Sequence, residues 1–214
     1  SLITKLKMEI EKTLKDLHLL LEEATNQKKT NIKEALVTLE KAAKLIPKLH
    51  AEEEESTKRF SDKNITEDLG TLEVKYYSKR GHIYYELENY DEALKCYLAV
   101  KERLTGNNKV YKAIGDVYRK QHKYKESIAS YDEGLDTWEE EASKNPKDKA
   151  ALLNSKGLVL LEKSEFEKSH ELPKEALVGF DEAVKCFEEA ISAAPKNPLY
   201  LCNKGRALHA KDPK

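Results

Sequence analysis

Histidine, cysteine and clustered carboxylates carry most of the chemistry available to this 214-residue sequence, and their spacing decides how much of it they can perform. A metal site or a general base needs groups that converge, as when two histidines four apart share one helical face. The six histidines, at positions 18, 50, 82, 122, 170 and 209, show no such pairing. Cys96, Cys186 and Cys202 are an odd number and lack the short Cys-x-x-Cys spacing of a zinc site. Cys96 and Cys186 each follow an alanine by three residues, Ala93 and Ala183, so they read as one recurring packing position. Glu52–Glu55 and Glu139–Glu141 bring carboxylates together, but acid runs in charged helices are ordinarily solvated faces. A phosphate-cradling loop needs close glycines, and no two here are nearer than nine residues. No catalytic, cofactor-binding or metal-ligating residue is expected: the chain is read as not an enzyme, with no cofactor.

Composition narrows the class further. The chain is 36% charged, yet 38 Lys plus Arg against 39 Asp plus Glu leave a formal net charge of -1. Only 8 Gly and 6 Pro exclude collagen-like and Gly/Pro-rich low-complexity chains. The longest apolar runs are four or five residues, around Gly157–Leu161, far short of the ~20 that cross a bilayer. No n-region, h-region and cleavage site open the sequence. An odd cysteine count without a disulfide framework fits a reducing compartment. A cytoplasmic, charge-rich helical protein is expected, with no membrane partner.

The glycines show what positions these residues. Gly81, Gly115, Gly157 and Gly205 are each preceded at -4 by Tyr77, Tyr111, Leu153 and Leu201, and followed at +3 by Tyr84, Tyr118, Leu160 and Leu208. Those offsets share one helical face, with a gap between two large residues. A helical glycine costs roughly 1 kcal/mol against alanine, so four in one context imply close approach of a second helix. That helix is visible at +9, +12, +16 and +19: Tyr90, Ala93, Tyr97 and Val100 after Gly81, and Tyr124, Ser127, Tyr131 and Gly134 after Gly115. Gly81 and Gly115 are 34 residues apart.

A helix-turn-helix unit recurring every 34 residues resembles the tetratricopeptide repeat. The resemblance rests on Tyr77, Gly81, Tyr84, Tyr90, Ala93 and Tyr97, then Tyr111, Gly115, Tyr118, Tyr124 and Tyr131, with Asn89–Leu94 as the entry to a second helix. It covers 74–211 well and 1–50 weakly. The residue before each glycine departs from the family's usual leucine at Arg80, Lys156 and Lys204, while Ile114 fits. The implied fold is all-α, a right-handed superhelix of antiparallel helix pairs with insertions lengthening some helices.

Segment by segment, residues 1–73 read as a degenerate repeat or helical extension. Its first helix runs over about 2–25, with a stripe of Ile3, Leu6, Ile10, Leu17, Leu20 and Ala24 widened by Leu14 and Leu21. Ala35, Leu39, Ala42 and Pro47 carry the second-helix pattern, and the surplus before Gly81 divides into a helix extension at Glu52–Glu55 and a loop at Ser61–Thr66. Residues 74–107 form one repeat. Residues 108–149 form a second whose longer second helix runs to about Lys144, where Asn145-Pro146 stops it. Residues 150–197 form a third with an insertion around Ser169–Glu182, a taller hairpin whose second helix opens at Pro173. Residues 198–214 supply a first helix alone, either a cap or part of a longer array; the chain does not begin with Met, in keeping with the latter.

The resemblance implies a binding function, with a peptide or partner helix held in a concave groove lined by the first helices. By the family pattern the partner-binding residues are Lys75, Lys79, His82 and Tyr85; Lys109, Lys112, Asp116, Arg119 and Lys120; Asn154 and Ser155; and Asn203 and Arg206. Residues 109–125 hold six Lys or Arg and one Asp, whereas 132–141 hold six acids and no base. A basic groove of this kind suits an acidic or carboxylate-ended peptide; lysines that merely solvate a helix give the same sequence. The clamp that holds chaperone tails ending in EEVD is matched only by Lys112, so no such tail is expected. Nucleic acid is not expected either: the pI is ≈ 6.6, and Tyr111, Tyr118 and Tyr124 fall at packing offsets. The alternative function is the recruiting segment of a larger enzyme such as a glycosyltransferase. A monomer or weak homo-oligomer is expected.

Overall fold

The computed structural model describes residues 1–60, 62–142 and 144–213, and among them it has nine α-helices and no strand. The chain divides into two compact units, Ser1–Leu104 and Thr105–Lys214, each built of antiparallel helix pairs.

In unit 1, α1 (Leu2–Lys28) pairs with α2 (Ile32–Arg59), and α3 (Lys63–Glu86) with α4 (Tyr90–Arg103). Side chains at the N-caps fix the starts: Asn31, Asp62 and Asn89 accept from backbone N–H groups one turn in, satisfying donors a helix leaves orphaned. Ile10, Leu14, Leu17, Leu21 and Ala24 of α1 are buried against Ala35, Leu39, Ala42, Ile46 and Leu49 of α2 in one continuous core. The buried stripe therefore centres on Leu14 and Leu21; Ile3 is exposed and Leu20 only half-buried. α2 passes through Pro47, which lies on its exposed side, and carries the expected helix extension at Glu52–Glu55 on to Arg59. One expectation is corrected here. The loop expected at Ser61–Thr66 is shorter than that, because Asp62 caps α3 and Ile65, Leu69 and Leu72 give its first turns an apolar face. Ser61 itself lies outside the described residues.

Unit 2 holds α5 (Asn108–Lys120), α6 (Tyr124–Glu140), α7 (Pro146–Ser169), α8 (Pro173–Ala193) and α9 (Pro198–Lys211). The taller hairpin is α7 and α8, of 24 and 21 residues against 13 for α5, and Pro173 sits at its N-terminus where the missing N–H costs nothing. Gly179 makes room there for Ser164 of α7. α6 ends at Glu140, four residues before the expected Lys144, because Glu141 turns to extended backbone. The turn is held by Trp138, whose Nε1 donates to Asn145 O at 2.8 Å while Lys144 and Lys149 lie 5.3 and 4.6 Å from its ring. α3, α5 and α7 each end on a left-handed residue that is not glycine: Glu88, His122 and Glu171, at φ 59°, 58° and 62°. In each turn the next N–H reaches back five residues, Asn89 to Tyr84 O, Lys123 to Tyr118 O and Leu172 to Glu167 O, closing the helix end.

Three of the four marker glycines do what their spacing implies. A Cβ on Gly81 would stand 2.9 Å from Tyr97 Cε1, one on Gly115 2.5 Å from Tyr131 Cε1, and one on Gly157 2.7 Å from Phe187 Cε1. In each pair the ring comes from the second helix of the same hairpin, sixteen residues on for Gly81 and Gly115 and thirty for Gly157, where the lengthened hairpin intervenes.

Candidate partner-binding surfaces

In unit 1 the face of α3 that carries Lys75, Ser78, Lys79 and His82 meets α1 along an open cleft. One part, of ≈ 290 Å³, is walled by Ala24, Thr25 and Lys28 of α1 and by Ser78, Lys79 and His82 of α3. A second, of ≈ 520 Å³, shares Thr25 and Lys79 and is bordered by His18, Glu22 and Lys75. Lys79 Nζ donates to Thr25 Oγ1. Burial, with Lys75 and Lys28 nearby, holds the Lys79 ammonium below the usual lysine range. Glu86 neutralises one cation by receiving Lys28 at 2.8 Å, and its carboxyl is held low chiefly by that hydrogen bond; His82 Nε2 lies 3.0 Å away. Burial and then Lys28 push the His82 imidazole down, so the neutral form is favoured. Among the described residues neither Lys75 nor Lys79 has a carboxylate within ion-pair distance. Tyr85 is half-buried, edge-on to Tyr90 with centroids 5.7 Å apart.

Unit 2 uses its charges internally. Lys112 reaches Asp116 Oδ2 at 2.7 Å, and Tyr131 Oη donates to Asp116 Oδ1 at 2.7 Å. Arg119 grips Glu162 with both Nε and Nη2, at 2.6 to 3.0 Å. Of the five candidates on α5, only Lys109 and Lys120 are exposed and unengaged among the described residues. Asn154, Ser155 and Asn203, expected on a groove, are buried at 8%, 4% and 3% exposure; Asn203 Nδ2 donates to Asn154 Oδ1 at 2.8 Å where α7 and α9 pack. That is a correction, because a buried amide must find a partner and these two amides find each other. Arg206 is exposed and donates to Asn203 Oδ1 at 3.3 Å. Tyr111, Tyr118 and Tyr124 are half-buried.

No group of three His, Cys, Asp or Glu among the described residues could hold a metal ion, and no described helix is long and apolar enough to cross a membrane. Burial pushes the Cys96 thiol up and that of Cys186 to about 11, whereas Cys202 is exposed. Since the thiolate is the reactive form, a native-state titration with a disulfide reagent is expected to release one thiol quickly and the other two only on unfolding. Three equally fast thiols would contradict the packing of α4 and α8.

The tetratricopeptide repeat model matches residues 74–103 and 180–197, the first covering the second half of α3 and all of α4, the second the later part of α8 with the turn after it. The chain is similar to that family in these stretches, whose repeats are scaffolds for protein interaction. No curated protein matches. Among solved structures, the crystal structure of BtubC (BKLC) from P. vanneervenii matches at 15% identity and a TM-score of 0.42, covering 94% of this chain and 91% of that one. The crystal structure of the APC/C hetero-tetramer Cut9-Hcn1 matches at 13% identity and a TM-score of 0.38, covering 96% of this chain and 46% of that one.

Proposed function

We propose that the chain is a non-catalytic protein-interaction module, built of repeats over 74–107, 108–149 and 150–197, that captures an acidic segment of a partner in the α1–α3 cleft of unit 1. The observation that carries this reading is the imbalance of charge. Lys75 and Lys79 stand in a cleft bordered by Glu22 but with no carboxylate within ion-pair distance among the described residues, while two of the four cations of α5, Lys112 and Arg119, are engaged by Asp116 and Glu162. A partly desolvated ammonium gains more from an incoming carboxylate than a solvated one does. Lys112, the one residue matching the chaperone-tail clamp, is held by Asp116, which favours a different acidic partner.

The test is fluorescence anisotropy with a labelled twelve-residue glutamate-rich peptide. Lys75→Glu with Lys79→Glu is expected to weaken binding about tenfold or more, roughly 1.4 kcal/mol, while reversing Lys109 and Lys120 changes it less than about threefold, as for exposed charges. Equal losses for both pairs would return the basic surface to α5. Binding needs the protonated lysine, and Lys79 is held below the ordinary value. Affinity is therefore expected to hold on the acid side and to fall as pH rises through that lowered value, earlier than an ordinary lysine would lose it.

A further inference from the structure

Three hairpins of this chain close by seating an aromatic ring on a glycine: Tyr97 on Gly81, Tyr131 on Gly115 and Phe187 on Gly157. Two turns beyond each ring, seven residues on, stands the residue at the foot of the hairpin: Leu104, Trp138 and Ala194. In unit 2 that position decides whether the corner beneath the next helix is filled. Where α5, α6 and α7 meet, Trp138 fills it. The indole is 8% exposed, its Nε1 donates to Asn145 O at the cap of α7 at 2.8 Å, and Lys144 and Lys149 flank the ring. Asn108 Nδ2 of α5 donates to Glu141 Oε1 in the same turn at 2.6 Å. These groups all come from α5, α6, α7 and the turn between the last two, although α8 and α9 follow. Where α7, α8 and α9 meet, Ala194 stands at the same position and the corner is an open notch of ≈ 700 Å³, the size of a ligand pocket. Ala193, Pro195 and the buried Tyr200 continue its apolar lining. The start of α7 supplies the opposite wall. α7 opens eleven residues ahead of Gly157, whereas α5 and α9 open seven ahead of Gly115 and Gly205, and the additional turn brings Pro146 and Lys147 to the notch. No acid lines it; Asp148, the acid in the first turn of α7, lies outside the lining. Among the described residues neither Lys147 nor Lys196 has a carboxylate within ion-pair distance. The first turns of α7 and α9 add the positive ends of two helices.

We infer that this notch docks a partner segment that presents a tryptophan between acidic residues. The filled corner defines that occupant. An indole enters beside Ala194, as Trp138 does in the corner before. Its N–H needs an acceptor once buried and donates to the carbonyl of Asn197, which precedes Pro198 as Asn145 precedes Pro146. Carboxylates on either side of it meet Lys147 and Lys196 at the rim. A second copy of this chain does not supply the anchor, because its single tryptophan is buried in its own corner. The notch lies within unit 2 and is independent of the cleft in unit 1.

The probe is a fluorescein-labelled twelve-residue peptide with a central Trp, two glutamates on each side of it and Gly or Ser elsewhere, followed by anisotropy on the full chain. Because the peptide is acidic, it is also titrated into the chain carrying Lys75→Glu with Lys79→Glu, where affinity is expected to stay within about threefold. Alanine in place of the peptide's Trp should weaken binding about tenfold or more, as for a buried aromatic anchor. Ala194→Trp gives the third hairpin the residue of the second; it should fill the notch and cause the same loss, with circular dichroism checking that the chain stays helical. Lys147→Glu with Lys196→Glu is the second variant, expected to weaken binding about fivefold or more while leaving the notch open, and it decides the matter if Ala194→Trp unfolds the chain. Equal binding of the Trp and Ala peptides, undiminished binding by the lysine variant or by folded Ala194→Trp, loss of binding with the lysines of unit 1, no binding at millimolar peptide, or sedimentation as a dimer that Ala194→Trp abolishes would each overturn the inference.

Discussion

Tyr131→Ala is expected to destabilise unit 2 by about 3–5 kcal/mol, the range for deleting a large buried aromatic. The side chain is completely buried, its ring covers Gly115, and its hydroxyl donates to Asp116 Oδ1 at 2.7 Å. Nothing on either helix can move in to fill the space, because Gly115 offers no side chain and Ser127 beside it is committed to Gly115 O at 2.8 Å. Burial and the neighbouring Asp116 carboxylate raise the phenol far above its ordinary value, so it donates throughout the physiological range. Tyr131→Phe separates the two contributions: it keeps the ring and removes one partner of Asp116, which costs about 0.5–1.5 kcal/mol. Trp138, the single tryptophan, sits on the same helix, so denaturation followed by its fluorescence reads this unit directly. A loss below about 1 kcal/mol for the alanine variant would mean that the hairpin does not depend on its ring.

Close approach of two helices is legible in a sequence because it leaves a gap where a side chain should be. Gly81, Gly115 and Gly157 each lie between large residues, and the first two stand sixteen positions ahead of a ring, with Gly157 thirty ahead across its insertion, so three hairpins are marked in the sequence itself. Pro173 was legible for a similar reason, since only a helix start tolerates its missing N–H. What the spacing could not show is where a helix stops when nothing forbids it. α2 runs through Pro47, and α3 begins eleven residues before the 74–107 repeat does, both carried by tertiary burial of Leu49, Ile65 and Leu69. Charge was legible only locally. Lys112 and Asp116 are one turn apart and could be paired on paper. Arg119 and Glu162 are 43 residues apart, and Asn154 and Asn203 are 49 apart, so the sequence alone cannot tell which candidates the fold would consume. The α1–α3 cleft is the converse. Its lysines were among the expected residues, but Thr25 and Lys28 on α1, which make it a cleft, belong to a helix without the marker glycine.

Gly115→Ala and Gly205→Ala are the same chemical change in two seats of one design, and they are expected to act in opposite directions. Alanine is the better helix former by roughly 1 kcal/mol at either position. At Gly115 the added Cβ would stand 2.5, 2.8 and 2.9 Å from Cε1, Cδ1 and Cζ of Tyr131. That ring cannot swing away, because it is fully buried and its far end is anchored to Asp116, which also holds Lys112. The two helices must separate instead, and overpacking of this kind costs about 1–3 kcal/mol. It outweighs the propensity gain, loosens the Asp116 network and should leave unit 2 about 1–2 kcal/mol less stable. At Gly205 no atom lies within 4 Å of the new methyl, so the propensity gain stands alone and stability should rise by roughly 1 kcal/mol. Urea melts of both variants, followed by Trp138 fluorescence and far-ultraviolet circular dichroism, measure the difference. Two shifts of the same sign would show that the glycines serve the helix and not the seat. Opposite signs would establish that the aromatic on the facing helix decides the residue.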